Sequence, residues 1–78
     1  MATDRKKEIP TEVVIIGQNI AKIIKDKDLK VRIVAHDSDL DIEALRRYIK
    51  GTTIMGIDKL IRISKALSVE ISELFKGI

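Results

Sequence analysis

Cysteine is missing from the 78 residues, so neither a disulfide framework nor a thiolate zinc site can stabilise a chain of this size. The single histidine, His36, lies in a charged stretch and reads as a solvated surface residue. Ser38, Ser64, Ser68 and Ser72 therefore have no imidazole at useful spacing, and nucleophilic catalysis lacks a candidate. The four glycines form no phosphate-cradling loop. No apolar run approaches the roughly 18 residues of a spanning helix, and the charged residues 1–8 precede no signal-like hydrophobic region. Internal repeats and low-complexity tracts are also lacking. Neither charge sign dominates, because 15 Lys+Arg face 12 Asp+Glu; the net charge of +3 permits phosphate contact without demanding it. The expectation is a cytoplasmic protein that is not an enzyme and has no cofactor, no metal, no membrane contact and no small-molecule substrate.

What is present is helical periodicity. A content of 45% hydrophobic and 35% charged residues suits a globular chain, and this length suits one domain. Residues 1–10, charged and with the single proline, should form a flexible tail or a basic arm; residues 11–78 should form the domain. In residues 11–27, Val13, Ile16, Ile20, Ile23 and Ile24 recur at helical spacing, and that period outweighs their β-branched propensity. Val14 and Ile15 fall outside the stripe. Residues 12–16 are thus either a helix start with extra apolar surface or a short strand, and a candidate self-association surface in both cases.

A second, two-turn helix over 30–37 carries Val31, Val34 and Ala35 and is stopped by Asp37, Ser38 and Asp39. A third follows Asp41 as N-cap and ends at Gly51. It divides into Ala44, Leu45, Tyr48 and Ile49 on one side and Ile42, Glu43, Arg46, Arg47 and Lys50 on the other. Ile57, Leu60, Ile61, Ser64 and Leu67 predict a fourth helix with Lys59, Arg62 and Lys65 outward; Ile71, Leu74 and Phe75 predict a short fifth over about 70–76.

Two short helices joined by a tight turn between longer amphipathic helices is the helix-turn-helix layout. From Gly17 onward the chain resembles the phage repressor/Cro (XRE-like) helix-turn-helix DNA-binding family. The resemblance rests on Ile16-Gly17 with Ile20, on Val34-Ala35, on Leu40-Asp41, and on Leu45, Tyr48 and Gly51. It closes with Leu60, Ile63, Lys65 to Val69 and Glu73-Leu74-Phe75. The family implies an all-α fold, a compact five-helix repressor-like bundle.

It also implies a small transcriptional regulator that binds double-stranded DNA with the helix at about 41–50 in the major groove. Base contacts would fall to Asp41, Ile42, Glu43, Arg46 and Arg47, and phosphate contacts to Lys30, Arg32, Lys50, Thr52 and Thr53. A homodimer is expected, because one helix reads only a few base pairs, with Ile71, Phe75 and Ile78 as its interface. The chain departs from the family at Val31, where glutamine is usual, at Ile49, where glutamate is common, at Met55-Gly56 in place of Pro-Ser, and at Lys30 in place of a Ser/Thr cap. Those departures, with Asp41, Glu43 and exposed Ile33 and Ile42, are what the runner-up would show, a protein-interaction module on the same scaffold, of antitoxin or anti-repressor kind.

Overall fold

The computed structural model describes residues 9–78, and most of the expected tail lies outside the described residues. Four α-helices follow one another, α1 (Thr11–Asp26), α2 (Val31–Asp37), α3 (Ile42–Lys50) and α4 (Ile57–Leu67), and a 3-10 turn (Ile71–Phe75) closes the chain. The all-α expectation holds, but the count of five helices does not. The last element is a five-residue 3-10 turn. A physical reason is at hand in Asn19 of α1, whose amide donates to the carbonyl oxygens of Leu74 at 2.8 Å and Lys76 at 2.9 Å, holding both against α1 and away from a longer helical ladder.

The helix starts are plain and the stops are shared. None of the elements has a side-chain hydrogen bond at its N-cap, Asp41 included: that residue takes the extended backbone of a cap (φ −66°, ψ 139°), yet its carboxylate accepts no helix N–H. All four helices instead end with a left-handed residue, Asp28, Asp39, Gly51 and Ser68. Around each, two amides reach back to orphan carbonyls. Leu29, Leu40, Thr52 and Val69 donate to Ile24, Ala35, Arg47 and Ser64, while Asp28, Asp39, Gly51 and Ser68 donate to Lys25, His36, Tyr48 and Lys65. This is the Schellman arrangement, which satisfies carbonyls that a helix end otherwise leaves open.

Packing joins α1 to α3 and to the 3-10 turn, α2 to α3 and α4, and α4 to the turn. The core is Ile16, Ile20 and Ile24 of α1, Val34 and Ala35 of α2, Leu45 and Tyr48 of α3, Leu60, Ile63 and Leu67 of α4, and Leu74. Each isoleucine, leucine and valine among them contributes about 1.5–3 kcal/mol of transfer free energy when fully withdrawn from water. Gly17 sets the α1–α3 distance: a Cβ there would collide with the Tyr48 carbonyl oxygen and lie 2.8 Å from that of Ile49.

Two apolar pairs behave differently from their spacing. Residues 12–16 are helical, which removes the strand option, and Val14 and Ile15 are half-buried by their own chain. Val14 lies against Gly51, where an added Cβ would meet its Cα at 3.0 Å, and Ile15 lies beside Gly77. In α4 the buried stripe is Leu60, Ile63, Ser64 and Leu67, whereas Ile57 and Ile61, expected inside, are 61% and 42% exposed. The i, i+3, i+4, i+7 set starting at Leu60 points at α2 and the 3-10 turn, and Ile57 and Ile61 flank it.

Candidate nucleic-acid interface

The helix-turn-helix runs over α2, the four residues 38–41 and α3. Its crossing is built on Ala35, 2% exposed, a side chain small enough to let two helix axes approach closely. The turn is held from inside by Ser38, fully buried, whose hydroxyl donates to the Val34 carbonyl at 2.7 Å. From outside it is held by Arg62 of α4, whose guanidinium stands 3.6 Å from the carboxylate of Asp39 and 3.6 Å from that of Asp58. Neither tie was foreseen. Ser38 reads as an ordinary turn serine, and nothing local connects Asp39 with Arg62.

Buried Leu45 and Tyr48 anchor α3, so its opposite side is turned to solvent. There the structure brings together Glu43, Arg46, Arg47 and Lys50, all exposed, with exposed Asp41 just before the helix. Arg46 is 3.6 Å from Glu43, an open i,i+3 pair. Among the described residues, Arg47 and Lys50 have no ion-pair partner. Ile42 departs from this group: it is half-buried and packs against the core, so only part of it reaches the open side. Val31 and Ile49, the two positions that lack polar residues usual in the family, are likewise half-buried against the core. Apolar packing thus occupies both positions.

Lys30 and Arg32 are exposed at the start of α2 and Lys50 at the end of α3, so the expected phosphate-binding cations lie at the two helix ends remote from the turn. Thr52 is exposed, but its hydroxyl donates to the Arg47 carbonyl at 3.2 Å; Thr53 is half-buried. Of the expected interface residues, Ile71 and Phe75 are half-buried against the chain's own core, and Ile78 is 59% exposed. Among the described residues, no helix is long and apolar enough to cross a membrane.

Residues 19–78 match the family of Cro/C1-type HTH DNA-binding domains. No curated protein matches the chain. The fold is similar to that of the restriction-modification controller protein C.AhdI from Aeromonas hydrophila, at 24% identity and a TM-score of 0.81, over 85% of this chain and 100% of that one. It is also similar to the clp gene regulator ClgR from C. glutamicum, at 18% identity and a TM-score of 0.79, over 83% of this chain and 84% of that one. At these identities the likeness is one of fold.

Proposed function

Because the chain belongs to the Cro/C1-type HTH DNA-binding domain family, we propose that it is a small transcriptional regulator, without enzymatic activity, that binds double-stranded DNA sequence-specifically with α3 in the major groove. The observation that carries this reading is the division of α3: Leu45 and Tyr48 hold one side in the core while Arg46, Arg47 and Lys50 stand exposed on the other. A helix so mounted offers guanidinium forks to base edges. Arg46 or Arg47 pairs bidentately with guanine, a contact worth about 1–3 kcal/mol of discrimination. Glu43 and Asp41 accept from base amino groups such as that of cytosine, and the exposed part of Ile42 meets a thymine methyl. Lys30, Arg32 and Lys50, with Thr52 and Thr53, set the register on phosphates. Residues 11–78 are the working unit, residues 1–10 are its tail, and the protein acts as a homodimer in the compartment that holds the DNA.

An electrophoretic shift with the DNA upstream of its own gene, at two salt concentrations, tests this. The shift should weaken steeply with salt, and replacing Arg46 and Arg47 together with alanine should abolish sequence preference while far-UV circular dichroism stays unchanged. Retained preference in that variant shows that another face reads the DNA.

The second reading, a partner-binding module on the same scaffold, draws on Ile33, 45% exposed on α2, and on the two carboxylates at the start of α3. A salt-insensitive or missing shift together with a stoichiometric co-purifying protein favours it.

A further inference from the structure

Asp39 takes a left-handed backbone, φ 57°, in the turn between α2 and α3, a conformation that glycine adopts without the steric cost an L side chain carries. Its side chain is 94% exposed and adds nothing to the core. Its partner is Arg62 of α4, whose guanidinium stands 3.6 Å away. A second nitrogen of the same guanidinium stands 3.6 Å from Asp58, one turn back on α4. Every other ion pair among the described residues joins side chains no more than four residues apart. The Arg62–Asp39 contact is thus the only one among them that ties one part of the fold to another. We propose that Arg62 is a positioning residue for DNA recognition: held by Asp58 on its own helix, it fixes Asp39 and so the angle at which α3 presents its exposed side.

The packing gives the turn a need for such a tie. α3 packs on α1 and α2, whereas α4 packs on α2 and the 3-10 turn, so α4 supports α3 chiefly through α2 and the turn that follows it. Asp41 ends that turn, and Ile42 and Glu43 open α3 directly after it. A tilt there displaces the side chains offered to base edges, and bidentate contacts tolerate little displacement. A guanidinium suits the task, because two of its nitrogens face two carboxylates at once, which the single ammonium of lysine does not reproduce. Fold stability is a poor explanation for the pair: Asp39 is almost fully open, Arg62 is 38% exposed, and such pairs contribute little to folding. Glycine at position 39 would end α2 at less backbone cost. Nor does Arg62 stand ready as a phosphate ligand, since it would have to leave both carboxylates to become one. The consequence for recognition rests on the DNA-binding reading; the hold of Arg62 on the turn does not.

Titrations of the full chain with a duplex enriched from a randomised pool by the wild-type protein test this. Arg62→Ala and Asp39→Asn should each weaken binding by about 5-fold for each copy bound, near the limit for an exposed pair, and the double variant should lose no more than either alone. Asp39→Asn is the sharper variant. Asparagine tolerates the left-handed backbone, and removing a negative charge by itself tightens DNA binding, so a loss has the sign opposite to simple electrostatics. Arg62→Ala should leave the slope of log affinity against log salt unchanged, whereas loss of a phosphate ligand lowers it by about one for each copy. Arg62→Lys should recover part of the affinity. Amide hydrogen exchange without DNA gives a second readout: Asp39 and Leu40, which donate to His36 and Ala35, should exchange about 5-fold faster in Arg62→Ala, a larger change than at buried Ile20 and Ile63. Unchanged affinity in either single variant, tighter binding by Asp39→Asn, a salt slope lowered by Arg62→Ala, losses that add in the double variant, or unchanged exchange at Asp39 and Leu40 overturns the proposal. A wild-type chain that enriches no duplex sinks the DNA-binding reading and the consequence for recognition with it, while the exchange rates still decide whether Arg62 holds the turn.

Discussion

Gly17 shows how one residue without a side chain controls the pose of the helix that carries function. Any Cβ at this position meets the carbonyls of Tyr48 and Ile49 in the last turn of α3, which are backbone atoms and cannot swing aside. Gly17→Ala should therefore destabilise the fold by about 1–3 kcal/mol, lowering the thermal midpoint by about 4–8 °C per kcal/mol; a melt followed by circular dichroism measures it. DNA affinity should drop too at a temperature where the variant is still folded, because α3 is pushed off α1; an unmoved midpoint disposes of the idea. The Glu43–Arg46 pair illustrates a balance of magnitudes. Both side chains are more than half exposed, and such a pair contributes at most about 1 kcal/mol, less than a bidentate guanine contact can return. Glu43→Ala should thus strengthen binding to random DNA, by removing repulsion of phosphates, while narrowing the gap between specific and random DNA; anisotropy titrations with both DNAs read the two effects.

The elements end on a common device that residue identity only partly announces. Gly51 was legible as a helix stop because glycine adopts a left-handed backbone freely, and Asp37-Ser38-Asp39 was legible as a break. The left-handed conformations of Asp28, Asp39 and Ser68 were not, since polar residues are equally at home in ordinary turns. Ser68 is exposed, and its left-handed backbone carries a steric cost that glycine avoids. Ser68→Gly should stabilise the protein by about 1 kcal/mol, seen as a higher urea midpoint with unchanged slope. A lower midpoint would mean that glycine's unfolded-state entropy outweighs the relief. The same scale explains the expectation about Asp41: its position as a helix start was readable, whereas the side-chain bond depends on a rotamer that no sequence pattern specifies.

For the whole molecule the measurable consequence is salt dependence. If Lys30, Arg32 and Lys50 each neutralise one phosphate in both halves of a dimer, the log of affinity should fall against the log of salt with a slope of about −5. A chain made monomeric should show about half that slope on one half-site. A flat line between about 50 and 200 mM salt sinks the major-groove reading. At this scale the fold and the family were legible from residues that act locally or at fixed spacing, namely the apolar stripes of α1 and α3, Ala35, and Gly51. The charged side of α3 was legible as well, because Leu45 and Tyr48 leave it only one way to point. The fates of Ile42, Ile57 and Ile61 were not, because a wheel places residues relative to their own helix axis and says nothing of where the neighbouring axis lies.

Local sequence alone therefore determined where the four helices lie, the break between the second and third, and the sign and spacing of charge along α3; these follow from periodicity, the turn residues that interrupt it and side-chain chemistry within a few residues. Only the tertiary structure decided which isoleucines are covered, how Arg62 and Ser38 clamp the turn, and why the last segment winds as a 3-10 turn against Asn19. Burial and clamping belong to pairs of surfaces that meet only after the chain has folded, so no single segment contains the information.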